Sequence, residues 1–329
     1  MKVGIVGCGA VGRKRARAVG PAEIVACADV VASRAEALAG SVASRPQVST
    51  EWAAIVERPD VDVVIVATPH HLLAEVALAA VTAGKHVLVE KPAARRACEI
   101  EPVMTTAERN GVLARVGFNH RYHPALSRAK RLAADGAIGE LMYVRGRYGH
   151  GGRIGYEREW RAQPALSGGG ELVDQGVHLI DLARWFLGDF ETIQGVAHTY
   201  FWDMPVEDNG FLLLQTARRQ TAFLHASWTE WKNLFSFEIF GRQGKLEVTG
   251  LGGSYGVERL AHYRMGPELG PPETVIWEYP LADASWDVEF AEFSEDIRLH
   301  RAPAAGLADA HAALRIVERV YGNARDHHA

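Results

Sequence analysis

The first 118 residues alternate between short apolar runs and stretches of helical spacing. Val3-Gly4-Ile5-Val6 is the first run, residues 11–19 read as the helix behind it, and residues 23–28 form a second run that ends at Asp29. Residues 61–67 are apolar without interruption, the pattern of a strand buried on both faces of a parallel sheet. A helix over 72–83 stopped by Gly84, a strand over 86–90, a helix over 97–110 stopped by Gly111 and a strand over 112–117 continue the series. This alternation predicts a doubly wound parallel sheet over residues 1–118.

Beyond residue 118 the period changes. Residues 121–134 read as a linking helix, residues 135–139 turn the chain, and residues 141–148 read as a strand. Further strand signals fall at 193–200, 210–217, 221–228, 235–240 and 245–249; Phe235, Phe237 and Ile239 show the two-residue alternation of a half-buried strand. Few helices interrupt them, so a second α/β domain over 119–329 is expected, with a large, mostly antiparallel open sheet. Residues 287–300 and 307–325 read as closing helices. Helices on one face of such a sheet leave the other free for a second subunit, and a homodimer or homotetramer is expected.

One helix stands apart. Residues 168–188 open on three glycines and close on Gly188, and most positions between are apolar, as in a buried helix. Asp174, His178 and Asp181 recur at i, i+4 and i+7 and so share a face. A polar stripe on a buried helix needs partners or a ligand: it is either a structural hydrogen-bonded set or the lining of a site.

Composition narrows the class. The 329 residues are 48% hydrophobic and 23% charged, as in a soluble globular protein, and the net charge of −4 gives no reason to expect nucleic acid. No run of about 18 apolar residues suggests a membrane span. The chain begins directly as a strand, and Cys8, Cys27 and Cys98 form no disulfide framework, which together suit a reducing cytoplasm. His327-His328 read as a frayed tail, and no metal site is expected.

The candidate chemistry lies at turns. Gly7-x-Gly9-x-x-Gly12 stands between the first strand and the helix read over residues 11–19. In a dinucleotide turn the first glycine permits the bend, the second lets a pyrophosphate approach the backbone, and the third lets helix and strand pack closely. Asp29 ends the second strand, where a carboxylate can grip a ribose; a turn cap is the other reading. Three further sets fall at strand ends, where ligands of such sheets bind: Thr68-Pro69-His70-His71, Glu90-Lys91-Pro92 and Asn119-His120-Arg121. The irregular stretch 149–166 and the strand end before it carry Tyr148, His150, Arg153, Tyr156, Trp160 and Arg161. These residue types stack on sugar rings or bind anions, or anchor a loop.

Gly7-x-Gly9-x-x-Gly12, Thr68-Pro69, Glu90-Lys91-Pro92, Gly117-Phe118-Asn119-x-Arg121 and Asp174-x-x-x-His178, in this order, resemble the glucose–fructose oxidoreductase / inositol dehydrogenase (Gfo/Idh/MocA) family. The resemblance covers almost the whole chain. It implies a Rossmann domain and hydride transfer between NAD, with NADP possible, and a secondary hydroxyl or ketone of a sugar, cyclitol or nucleotide sugar. The cofactor is then expected against Gly7, Gly9, Ala10, Val11, Gly12 and Asp29, and against Thr68, Pro69, His71, Glu90, Lys91 and Asn119. Lys91, Asp174 and His178 are the expected catalytic set, either Lys91 or His178 being the primary base. Arg121, Tyr148, Arg153 and Trp160 join Asp174 and His178 as substrate contacts. One departure is that His70 and Leu73 stand where many members carry Asn and His. Relatives that use transient oxidation for elimination or glycoside cleavage, and sensors that have lost turnover, are the alternatives. The intact Lys91, Asp174 and His178 argue against a sensor, and Arg147, Arg153 and Arg161 point towards an anionic substrate.

Overall fold

The computed structural model describes residues 1–326 apart from 265, 267 and 269; His327 and His328 lie outside the described residues. In chain order the first elements are β1 (Lys2–Val6), α1 (Ala10–Arg17), β2 (Glu23–Ala28), α2 (Ala32–Ser41), β3 (Gln47–Ser49), α3 (Ala53–Val56), β4 (Val63–Val66), α4 (His70–Thr82), β5 (His86–Val89), α5 (Ala97–Asn110) and β6 (Ala114–Val116). There follow α6 (Pro124–Ala134), β7 (Leu141–Gly149), α7 (Pro164–Ser167), α8 (Val177–Leu187), β8 (Thr192–His198), β9 (Asn209–Gln215), β10 (Thr221–Ser227), β11 (Leu234–Gly241), β12 (Gly244–Thr249), β13 (Glu258–Arg264), β14 (Glu273–Tyr279), α9 (Ser285–Leu299) and α10 (Leu307–Asp326).

Two compact units result. The first holds Met1–Phe118, Ala165–Gly168 and Trp286–Arg315; the second holds Asn119–Pro164, Gly169–Ser285 and Ile316–Ala329. The cut after Phe118 falls where the residue pattern changes. Residues 286–315, which the pattern groups with the second domain, cluster with the first unit instead, because Phe290 and Phe293 of α9 fill the core around Val3, Ile5 and Ile65.

The sheet of the first unit has the order β3-β2-β1-β4-β5-β6, parallel throughout, as the apolar runs predict. Its middle strands are buried on both faces: Val63, Val64, Ile65 and Val66 are all fully enclosed. The order reverses between β1 and β4, and a sheet of this kind binds ligands at the carboxyl ends of the strands beside that switch point.

The sheet of the second unit has the order β14-β13-β12-β11-β7-β10-β9-β8, antiparallel except for the parallel pair β7 and β10. Strands β13 and β14 are additional to those read from the sequence. Alternation along β7 sends Val144, Gly146 and Tyr148 to the covered face and Tyr143, Arg145 and Arg147 to the open one. Helix α8 rides on the covered face so closely that a Cβ on Gly146 would lie 3.1 Å from a Leu179 methyl. On the open face Tyr143, Val196, Leu213, Phe223 and Ile276 are 40 to 58% exposed.

Candidate active site

In the first unit the glycine turn has the geometry its spacing predicts. Gly7 has φ +94°, and a Cβ there would lie 2.4 Å from the Ala67 carbonyl oxygen. A Cβ on Gly12 would lie 1.9 Å from the Gly7 oxygen, so helix α1 can approach β1 only through glycine. A Cβ on Gly9 would meet nothing within 4 Å, so the backbone there faces open space. Ala10 and Val11 follow as the first turn of α1, whose unpaired N–H groups suit phosphate oxygens. Asp29 leaves β2 with one carboxylate oxygen accepting the Cys8 N–H at 2.8 Å and the other accepting the Val31 N–H at 2.9 Å. The carboxylate is thereby tied to the glycine turn; it caps a turn and stands beside the dinucleotide loop at once.

The other strand ends supply polar groups. The Thr68 hydroxyl oxygen, just past β4, is buried with no partner among the described residues. Pro69 starts α4, and the His70 ring is held by the Ser167 carbonyl oxygen at 2.8 Å. Burial, with the Arg95 charge behind it, lowers the His71 pKa. Lys91 follows β5, half-buried, on a cis peptide to Pro92. The open backbone at Gly9, the fixed Asp29 and the orphan Thr68 hydroxyl fit a dinucleotide. Glu90, expected at the cofactor, faces away: its carboxylate accepts the buried Arg15 Nε at 2.6 Å, and Arg15 also pairs with the buried Glu289. A Cβ on Gly117 would strike Arg15 at 2.5 Å and both Glu90 oxygens at 3.0 Å, so this ion cluster fills the space beside β6.

In the second unit the polar stripe sits on an irregular helix. Residues Leu172–Gly176 wind as a π-helical turn before α8 starts, a feature common at functional sites. Asp174, His178 and Asp181 are all buried. Asp174 accepts Arg161 Nε at 2.9 Å; burial alone would lower the Arg161 pKa, but Asp174, Tyr156 and Glu159 together raise it. His178 lies against His120, the rings tilted by 37° with centres 3.9 Å apart, and Tyr148 stands edge-on to both at 5.1 and 6.2 Å. Burial raises the pKa of Tyr148, with Tyr255 and the charges of Glu171 and Asp174 adding to it. Burial likewise lowers that of His150.

Several expected contacts are engaged elsewhere. Arg121, read as a substrate contact, is buried and forks onto Asp181 at 2.8 and 2.5 Å; the third member of the helical stripe is thus half of an ion pair. Asn119, read as a cofactor contact, donates to the Ser285 hydroxyl at 2.8 Å. Arg153 is exposed and pairs with Glu159, while Trp160 lies under the Arg161 guanidinium, 4.5 Å from its ring centre. Arg147 points to the open face, opposite Tyr148, and Arg153 and Arg161 pair with Glu159 and Asp174. Sequence reading missed His120 as the partner of His178, and Tyr255. His120 stands between Asn119 and Arg121, whereas Tyr255 carries only the signal of a tyrosine in a run of glycines.

A parallel sheet with an open glycine turn, joined in one chain to a mixed sheet whose covered face holds a buried Asp–His pair, defines a nucleotide-binding oxidoreductase of two units. The family model described as the oxidoreductase family, NAD-binding Rossmann fold, matches residues 1–118, and that of the GFO/IDH/MocA C-terminal domain matches residues 126–247. The chain belongs to the Gfo/Idh/MocA family of NAD-binding oxidoreductases. It is 33% identical over 230 residues to levoglucosan dehydrogenase of Pseudarthrobacter phenanthrenivorans, spanning 66% of this chain but 59% of that protein. It is 28% identical over 317 residues to inositol 2-dehydrogenase of Salmonella typhimurium, spanning 92% of this chain and 88% of that one. A structure of levoglucosan dehydrogenase with NADH and levoglucosan superposes with TM-score 0.89 over 99% of this chain and 97% of the other, at 24% identity, a likeness of fold. Among the described residues no helix is long and apolar enough to cross a membrane, and no group of His, Cys, Asp and Glu could hold a metal.

Proposed function

We propose that this protein is an NAD-dependent dehydrogenase acting on a secondary hydroxyl of an uncharged sugar or cyclitol. The observation that carries the reading is the buried Asp174–His178 face, with Asp174 held by Arg161 and His178 backed by His120. The relatives named for levoglucosan and inositol support the substrate class. Bound NAD would supply the hydride acceptor. Gly9 and the first turn of α1 would take its pyrophosphate, Asp29 its ribose hydroxyls, and Thr68 a further polar contact.

The chain's own residues handle the proton. An imidazole titrates near neutral pH, and His178 takes the hydroxyl proton as the hydride leaves. Asp174, oriented by Arg161, accepts a hydrogen bond from a substrate hydroxyl. Lys91, fixed between β5 and Pro92, polarises the reacting oxygen with its ammonium. Purified protein given NAD with levoglucosan or myo-inositol is expected to accumulate reduced nicotinamide, followed by its absorbance. No reduced nicotinamide from either, or from a wider panel of neutral polyols, would overturn the reading; product without net reduced nicotinamide would instead indicate elimination with the cofactor retained.

A further inference from the structure

Between β12 and β13 the chain reads Gly250-Leu251-Gly252-Gly253-Ser254-Tyr255-Gly256. Its four glycines have φ of +71°, +73°, +53° and +86°, conformations that other residues adopt at a cost. A Cβ on Gly250 would lie 2.4 Å from the Val257 carbonyl oxygen, and the Gly252 N–H donates to the Gly256 oxygen at 2.9 Å. The loop is therefore closed on itself. Leu251 is buried at its base, and Tyr255 is half-buried between exposed Ser254 and Gly256. The C-terminal family match ends at residue 247, before this loop begins.

Tyr255 is the side chain the loop delivers. Its ring centre lies 5.4 Å from that of Tyr148, which in turn stands beside His120 and His178. The two rings are tilted by 50° to each other. Burial raises the Tyr255 pKa to about 12, and the charges of Glu171 and Asp174 add to it. Both phenols thus keep their protons at neutral pH. A protonated phenol has an O–H to give. On its other side Tyr255 lines a groove of about 450 Å³ with Arg147, Ser236 and Arg259, on the open side of the sheet.

We propose that Tyr255 is a specificity residue for a polyol substrate, its ring packing on the apolar face of the sugar or cyclitol and its O–H donating to a ring hydroxyl. The proposal rests on the function argued above and deepens it. An aromatic ring with a polar tip suits that task, since the ring covers C–H surface while the tip satisfies a hydroxyl.

The test is a binding titration of the full chain saturated with NADH, using myo-inositol and levoglucosan as probes, with NADH affinity and melting temperature measured on the same samples. Tyr255→Phe is expected to weaken polyol binding about five- to tenfold, the worth of one neutral hydrogen bond. Tyr255→Ala, which also loses the ring, should weaken it about a hundredfold, with NADH affinity and melting temperature unchanged. Polyol affinities within twofold of the parent in both variants, losses matched by weaker NADH binding or lower melting temperature, or no binding of either probe by the parent would overturn the proposal. A parent that binds a probe but oxidises none contradicts the dehydrogenase reading alone, and the titration still decides Tyr255.

Discussion

Asp29 and Arg121 show how differently two charged residues of the same chain are used. Asp29 is fixed by two backbone N–H groups at the end of β2, with its charge close to the glycine turn. A 2′-phosphate placed there would meet a like charge and be repelled. Asp29→Asn keeps an acceptor for Cys8 and removes the charge. The ratio of kcat/KM for NADP to that for NAD should rise at least about tenfold, and an unchanged ratio would remove Asp29 from the ribose role. Arg121 is the opposite case: with side-chain exposures of 5% and 1%, it and Asp181 form a buried pair. Arg121→Met leaves a carboxylate uncompensated and should cost about 3–5 kcal/mol of stability in denaturant melts. A variant of normal stability with a raised KM would return Arg121 to the substrate. The glycine turn and the Asp174/His178 spacing are legible in sequence because their members lie within a few residues of one another. The pairing of Arg121 with Asp181, 60 residues on, or of Arg15 with Glu289, 274 residues on, is set by tertiary packing that no local pattern encodes.

At the scale of elements, apolar runs located five of the six strands of the first sheet and five strands after α8 to within two residues, because burial on one or both faces writes itself into the period; the three-residue β3 was too short to read. Strand β14 escaped because it lies at the sheet edge, with Glu273, Thr274, Ile276 and Glu278 exposed, so no clean alternation marks it. The π-helical turn before α8 escaped because one extra residue per turn shifts the stripe too little to read. Helix α9 carries the element-scale prediction. Its Glu289 is fully buried and shares the Arg15 guanidinium with Glu90; Arg115 faces it as well. Burial raises its pKa to about 7, with the Glu90 charge adding and Arg15 opposing. The folded protein then holds a proton that the unfolded chain releases near the ordinary value of 4.5. This contribution is fully present below the unfolded value and is lost as pH rises through about 7. Unfolding free energy should therefore fall from pH 5 to pH 8, by on the order of 3 kcal/mol from this group. Glu289→Gln should flatten the profile; an identical slope in the variant would show that Glu289 does not titrate in this range.

For the whole molecule, the open face of the eight-stranded sheet and the division of chemical roles between the two units set the expectations. Leu213 and Phe223 are opposite each other on neighbouring strands, each 46% exposed, in a face that also shows Val196 and Ile276. An apolar face of this kind is expected to bury itself against a second copy. Sedimentation at micromolar concentration should give a dimer or tetramer, and Leu213→Glu with Phe223→Glu should reduce it to the 35.9 kDa chain; a parent sedimenting only at that mass would refute the expectation. The central claim is that Lys91 and His178 handle proton and charge for one hydride transfer. Its most direct test is single-turnover reduction of NAD by a polyol substrate, with NADH affinity measured in parallel, for the parent, Lys91→Met and His178→Ala. Turnover should fall by about 10²–10⁴ in each variant with cofactor affinity little changed; near-normal turnover in both would contradict the account.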